Sequence, residues 1–369
     1  MMTSKEMLFF CTTILTFSND LKQKSKIKQT ILNGLDWEFF VAFSTGHYIL
    51  PALYINLKNV NLLQLLPSDL VVFMADIYNQ NSNRNMRLYA EVLEINELLL
   101  AHNISPIFLK GSAHLILNLY TDPAQRMIGD IDFLVAPNKM LLAAEVLAQV
   151  GYVAMAKFDA TKFKRTKHYP RMVHQNKLMA LEIHKDVIQN EKNRQLNFQK
   201  IDLTKQQVNN VFVPSFSNLV LHNAMNAQMD DKHYLFGKIN LRQQLDFFLL
   251  SDKVDVNKVL SDFNFHLPKL EAYLVKTSLI FKNTPSLIEP KNIRSFFVRN
   301  RIIAQLEHPR MFKYINAVIF FFVYIIIYSK LFLDYMFKSS SRKRLVNKVK
   351  DIEWWKNFLT LNYKSMFSN

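Results

Sequence analysis

Residues Phe108 to Val135 read FLKGSAHLILNLYTDPAQRMIGDIDFLV, and the spacing within this stretch decides the fold. A short apolar run, Ile107-Phe108-Leu109, leads into Lys110-Gly111-Ser112. An apolar helical stretch and Arg126 follow, and Gly129-Asp130-Ile131-Asp132 opens a second apolar run, Phe133-Leu134-Val135. Carboxylates at i and i+2 on a strand point to the same face of a sheet. Like charges that close repel each other unless a cation lies between them. A divalent ion is the usual remedy. Oxygen donors suit Mg²⁺, with Mn²⁺ as a substitute. The stretch therefore predicts a metal-dependent phosphoryl- or nucleotidyl-transfer site.

Outward from this motif the pattern alternates. Residues 112–120 predict a helix, 130–135 a strand, 137–150 a helix and 151–155 a strand. Residues 169–174 and 178–184 read as a hairpin turned at Gln175-Asn176-Lys177. Upstream, residues 1–100 read as helical, with a long periodic segment over 83–102. Beyond Pro214 the helical pattern returns over 215–226, 239–250, 256–263 and 268–281. The fold class is α+β: a small mixed β-sheet core flanked by N-terminal helices and a C-terminal helical domain. The expected division is a helical region over 1–104, the core over 105–200, a helical domain over 214–310, and a hydrophobic helix with basic tail over 311–369.

Composition narrows the classes of function. The chain has 369 residues, half of them apolar and only six of them Gly, which excludes a disordered or low-complexity protein. Three of those glycines, Gly111, Gly129 and Gly151, fall within 41 residues around the motif, where they suggest tight turns at strand ends. The single Cys11 excludes an internal disulfide framework and a cysteine-based zinc site, and fits a reducing compartment. A net charge of +16 favours polyanions: nucleic acid, nucleotide phosphates or an anionic membrane face. The apolar stretch Met7 to Phe17 has the length of a signal segment, but Glu6 precedes it and no A-x-A-like cleavage site follows. It reads as a helix of the folded body.

The tail differs in kind. Between Lys313 and Lys330 lie 16 residues without a charge, followed by LFLDYMF and the basic KSSSRKRLVNKVK. At 1.5 Å per residue the uncharged run spans about 24 Å, short of a hydrocarbon core of about 30 Å. Two readings stay open for 314–337: a buried helix, or a membrane segment whose flanking lysines snorkel. In the second, contact runs through 314–350 with the basic segment on the cytoplasmic side. The protein is then cytoplasmic, or peripheral to or anchored at the inner face of the cell membrane.

Asp36-Trp37, Gly46-His47 and Pro51-Ala52-Leu53-Tyr54 stand upstream of Leu109-Lys110-Gly111, Tyr120, Arg126 and Gly129-Asp130-Ile131-Asp132-Phe133-Leu134-Val135. Leu181-Glu182-Ile183-His184 follows. This series resembles the bacterial uncharacterised nucleotidyltransferase family, within the superfamily related to DNA polymerase β and distantly like the AbiEii-type enzymes. The resemblance covers roughly residues 30–250. It implies a nucleotidyltransferase core in which Asp130 and Asp132 hold two Mg²⁺ ions and, through them, a nucleoside triphosphate.

A further carboxylate is expected on a neighbouring strand, and Glu182 is the candidate third metal ligand and proton acceptor. Lys110, Gly111 and Ser112 are expected to meet the nucleotide phosphates. Arg126 either orients the aspartates or the triphosphate, or forms a structural pair with an Asp. Arg242 and Asp246, four apart on a helix, read most simply as an intrahelical pair. His184 is either a base or a packed histidine. The segment 157–177 carries seven Lys/Arg against Asp159 and either flanks the cleft or forms a solvated face.

Two functions follow. One is transfer of a nucleoside monophosphate to an acceptor hydroxyl of a protein, an RNA or a metabolite, with release of pyrophosphate. The other is a non-catalytic scaffold that holds nucleic acid or anionic lipid. The intact set of three carboxylates favours the enzyme.

Overall fold

The computed structural model describes residues 2–17, 20–158, 166–188, 196–263, 267–281 and 287–337. The chain forms two compact units, Met1–Ile303 and Ala304–Asn369. In the first, helices α1 (Ser4–Leu15), α2 (Leu21–Leu32), α3 (Trp37–Gly46), α4 (Leu50–Asn59) and α5 (Ser68–Ala101) precede the sheet. Helix α1 starts in a capping box between Thr3 and Glu6 and buries Met7, Leu8, Phe10, Cys11, Ile14 and Leu15, as expected of a helix of the body.

The sheet interleaves with helices in the order β1 (Ile107–Phe108), α6 (Lys110–Ile116), β2 (Asp130–Leu134), α7 (Met140–Gln149), β3 (Val153–Ala154), β4 (Met172–Val173), β5 (Ala180–His184), α8 (Phe198–Thr204), β6 (Gln206–Val208) and β7 (Val211–Val213). Helices α9 (Phe216–Met225), α10 (His233–Phe236), α11 (Leu241–Ser251), α12 (Val256–Asp262), α13 (Leu267–Ile280), α14 (Ile293–Glu307) and α15 (Pro309–Phe337) follow. Among the described residues the sheet has seven strands in the order β3-β4-β5-β2-β1-β7-β6. Pairing is mixed: β2 runs parallel to β5 and β1 parallel to β7, whereas β1 is antiparallel to β2. This is the expected α+β core. Ile131, Phe133, Leu181 and Ile183 are fully buried on the inward face of the two central strands.

Three local differences have physical causes. The helix expected over 112–120 begins at Lys110 and ends at Ile116, because Leu109 is extended and Asn118 turns the chain with a φ of 49°. The β6–β7 hairpin lies in a polar segment that reads as a connection. Its strands are three residues each, and Asn209 and Asn210 both take positive φ, 47° and 63°, the conformation of a two-residue hairpin turn. Helix α5 extends 15 residues upstream of the segment read from its apolar period. Its QNSNRN stretch buries Asn81 and Asn85 rather than apolar groups.

Of the glycines, Gly151 takes a φ of +97° and closes the turn before β3. Gly129 has open space around its Cα and no positive φ, so the tight turn expected there is absent. The basic tail over 338–350 and residues 159–165 of the basic segment lie outside the described residues.

Candidate active site

The parallel register of β2 and β5 sets Asp132 opposite Glu182 and Leu134 opposite His184. Paired residues of neighbouring strands share a face, so Asp130, Asp132, Glu182 and His184 all rise from one side of the sheet. His184 Nε2 lies 2.8 Å from Asp132 Oδ1 and 3.4 Å from Glu182 Oε2. Asp132 and His184 are buried, while the Glu182 side chain keeps 19 % of its surface in solvent.

Lys110 completes the cluster. Its backbone is left-handed, with a φ of 47°, a conformation that costs an L-residue roughly 1–2 kcal/mol. That turn sends Nζ to 2.5 Å from Asp132 Oδ1 and 4.0 Å from Glu182 Oε2. The backbone N–H of Leu109, just before it, donates to the Asp132 carbonyl at 2.8 Å, so the turn and the aspartate strand are joined twice.

The charges of the three acids diverge accordingly. Burial works against ionisation of Asp132, but the Lys110 ammonium and the His184 hydrogen bond hold its carboxyl well below the usual range. The His184 bond likewise lowers Glu182. Asp130 is pushed up to about 6 by burial and by the neighbouring Asp132 charge. Among the described residues Arg171 pairs with it, at 3.4 Å through a half-exposed side chain. Excess negative charge therefore remains at the edge of the cluster.

Asp132, Glu182 and His184 each offer a ligand atom within 4.8 Å of the others. Two carboxylates and an imidazole fit one divalent ion, and the residual charge at Asp130 has the sign such an ion neutralises. Sequence reasoning named Asp130, Asp132 and Glu182 as the ligands; the structure gathers His184 with the last two, and Asp130 stands outside that trio. The signal for His184 lay in the alternation of Leu181-Glu182-Ile183-His184, which puts both polar residues on one face.

The other expected phosphate contacts are placed differently. Ser112 is fully buried, and its Oγ has no hydrogen-bond partner among the described residues. Gly111 is required for close approach: a Cβ there would lie 2.5 Å from Arg126 Nη1 and 2.8 Å from Ile128 Cγ2.

Arg126 is 8 % exposed and gives Nε and Nη2 to the two oxygens of Asp246, both at 2.8 Å. Of the two readings of Arg126, this geometry is that of the structural pair with an Asp. A planar guanidinium in the interior is matched by a buried carboxylate that it grips bidentately. Asp246 also accepts from the Tyr120 hydroxyl at 2.7 Å and lies 3.3 Å from His114 Nδ1. Burial would raise its pKa, but Arg126 and His114 hold it far below the carboxylate range. Arg242, read as the partner of Asp246, instead donates to the Met127 carbonyl at 2.9 Å and lies over the Tyr48 ring.

A second support escaped the sequence reading. Asn81 and Asn85 of α5 each donate to the Arg126 carbonyl, and also to those of Ala124 and Pro123 respectively. Arg84 Nε donates to the Ile128 carbonyl at 3.1 Å. One helix thus fixes the backbone of residues 123–128, which delivers Asp130 and Asp132 to their strand. From the basic segment, Lys167 pairs with Asp230, Arg171 with Asp130 and Lys177 with Glu94.

A model of the family described as uncharacterised nucleotidyltransferase matches residues 33–267. No curated protein and no solved structure matches the chain. The matched span begins just before α3, ends at the start of α13 and contains Lys110, Asp130, Asp132, Glu182, His184 and the whole Arg126–Asp246 network. It covers more than half of the chain, which therefore belongs to the uncharacterised nucleotidyltransferase family.

Proposed function

We propose that this chain transfers a nucleoside monophosphate from an NTP to an acceptor hydroxyl and releases pyrophosphate. The observation that carries the reading is the register pair Asp132–Glu182, with His184 and Lys110 converging on it. Asp132, Glu182 and His184 are the residues to hold Mg²⁺ or Mn²⁺, and Asp130 is the candidate to complete a second site. Bound there, such an ion would supply positive charge for the phosphate oxygens.

The residues divide the remaining work. Asp132, kept ionised, anchors the cluster. Lys110 Nζ is a cation within reach of both acids and is the residue to meet the triphosphate. The acceptor oxygen forms a bond to the α-phosphorus as the bond from that phosphorus to the leaving pyrophosphate oxygen breaks. Glu182, the acid of the trio with a solvent-accessible side chain, takes the acceptor's proton.

The test is incubation of the purified chain with each α-labelled NTP, Mg²⁺ or Mn²⁺, and cell extract. Label transfer that disappears in Asp132→Ala and in Glu182→Ala supports the reading. Equal transfer by either variant sinks it and leaves the non-catalytic scaffold.

For location, one observation favours the membrane. Pro309–Ser329 of α15 is 21 residues long and apolar, and none of its most apolar window is buried. At 1.5 Å per residue it reaches about 31 Å, enough for a hydrocarbon core. We infer that α15 anchors the chain at the inner face of the membrane, where NTP is present. Release of the full-length chain from membranes by a carbonate wash, without detergent, would remove this anchor.

A further inference from the structure

The unit that holds the active site carries an apolar patch of its own. Ile293, Phe296 and Phe297 of α14 expose 72 %, 61 % and 63 % of their surface, and Ile288, just upstream, exposes 64 %. Positions 293, 296 and 297 are i, i+3 and i+4, so they form one face of the helix. The opposite face is packed: Ser295 and Ile302, seven residues apart, are buried.

Two ties fix this orientation. Arg301 donates Nη2 to the Leu235 carbonyl at 2.6 Å, and Glu289 receives both Arg299 and the Ser278 hydroxyl. The exposed phenylalanines are therefore held outward by the fold. They do not result from a frayed end. Lys291 and Arg294 stand among them in the sequence.

Two aromatic and two branched apolar side chains beside basic residues match the chemistry of the bilayer interface. There apolar groups enter the acyl boundary and cations meet anionic headgroups. The helix that follows holds a 21-residue stretch, Pro309–Ser329, long and apolar enough to cross a bilayer, and the chain carries a net charge of +16.

We propose that the α14 face made by Ile293, Phe296 and Phe297, together with Ile288, docks on an anionic membrane surface. It gives the catalytic unit a second contact with the bilayer, independent of α15. Its occupant is lipid, and the inference does not depend on the nucleotidyl-transfer reading.

The single Cys11 is fully buried, so a cysteine introduced at the surface can be labelled selectively. Full-length Phe297→Cys and, as a control, Leu203→Cys, at a position 85 % exposed on α8, would carry an environment-sensitive fluorophore. Each is mixed with phosphatidylcholine vesicles with and without phosphatidylglycerol. The expected result is a blue shift at position 297 with anionic vesicles, quenched by shallow spin-labelled lipid, and no shift at position 203. Changing Lys291 and Arg294 to Gln is expected to weaken the shift.

Flotation with vesicles alongside a silent probe at 297 overturns the patch and leaves α15 as the sole anchor. A shift without lipid that grows with protein concentration also overturns it, by showing that a second copy covers the face. Failure of every variant to float sinks both membrane contacts, while label transfer from NTP is scored separately.

Discussion

Asp246→Asn removes one charge and almost no volume from the interior, and the structure sets the size of the effect. Asp246 is 1 % exposed, and it is the carboxylate to which Arg126 gives both hydrogen bonds. The variant leaves a buried guanidinium facing an amide, and breaking a buried pair in this way costs about 3–5 kcal/mol. The pH dependence has a definite sign. The folded pKa is lowered, so the stability that Asp246 contributes is fully present above its unfolded pKa near 3.8 and is lost as pH falls toward the folded value. Between pH 5 and pH 2, roughly, the variant should show a shallower loss of stability than the wild type.

Urea unfolding of the full chain in mild detergent, followed by circular dichroism, gives both quantities. The double variant Arg126→Met/Asp246→Leu, which removes the pair together, should lose less than either single change. A single Asn variant within about 0.5 kcal/mol of wild type, or singles that add in the double, would refute the reasoning.

The same packing sets three further outcomes. Gly111→Ala places a Cβ against Arg126 Nη1 and Ile128, and Arg126 cannot yield without leaving Asp246; the unfolding midpoint should fall by an amount equal to about 1–3 kcal/mol. Asn85→Ala strips one donor from the Pro123 and Arg126 carbonyls and should cost about 1–3 kcal/mol in the same assay, with lower label transfer because the strand of Asp130 and Asp132 loses its support. Lys276 is buried against the Lys238 carbonyl, and burial pushes its pKa down to about 7. Below that value it is charged in both states and its burial cost is felt in full. Between pH 7 and 10.5 the unfolded chain binds more protons, so stability should rise with pH, and Lys276→Met should flatten that rise.

The sheet core was legible because its signals are local. Alternation placed Glu182 and His184 on one face, and the apolar run after Asp-x-Asp marked its strand, while the register of that strand with its neighbour came only from the fold. What escaped depends on distance or on polar groups turned inward. Arg126 and Asp246 lie 120 residues apart, and their pairing follows from shared burial; an i,i+4 rule favoured Arg242 instead. Asn81 and Asn85 look like a solvated helix face, yet they grip backbone carbonyls of the 123–126 turn. The left-handed Lys110 carries no marker in the sequence, since such a backbone favours glycine or asparagine; its side-chain bond to Asp132 accompanies the strained turn.

The most direct measurement compares ATP labelled at the α- and γ-phosphorus in one reaction with Mn²⁺ and extract. Nucleotidyl transfer at the Asp132–Glu182 cluster predicts that α-label enters the acceptor, γ-label leaves as pyrophosphate, and both events vanish in Asp132→Ala. Entry of γ-label into the acceptor, or α-transfer undiminished by that substitution, would contradict the assignment of this cluster.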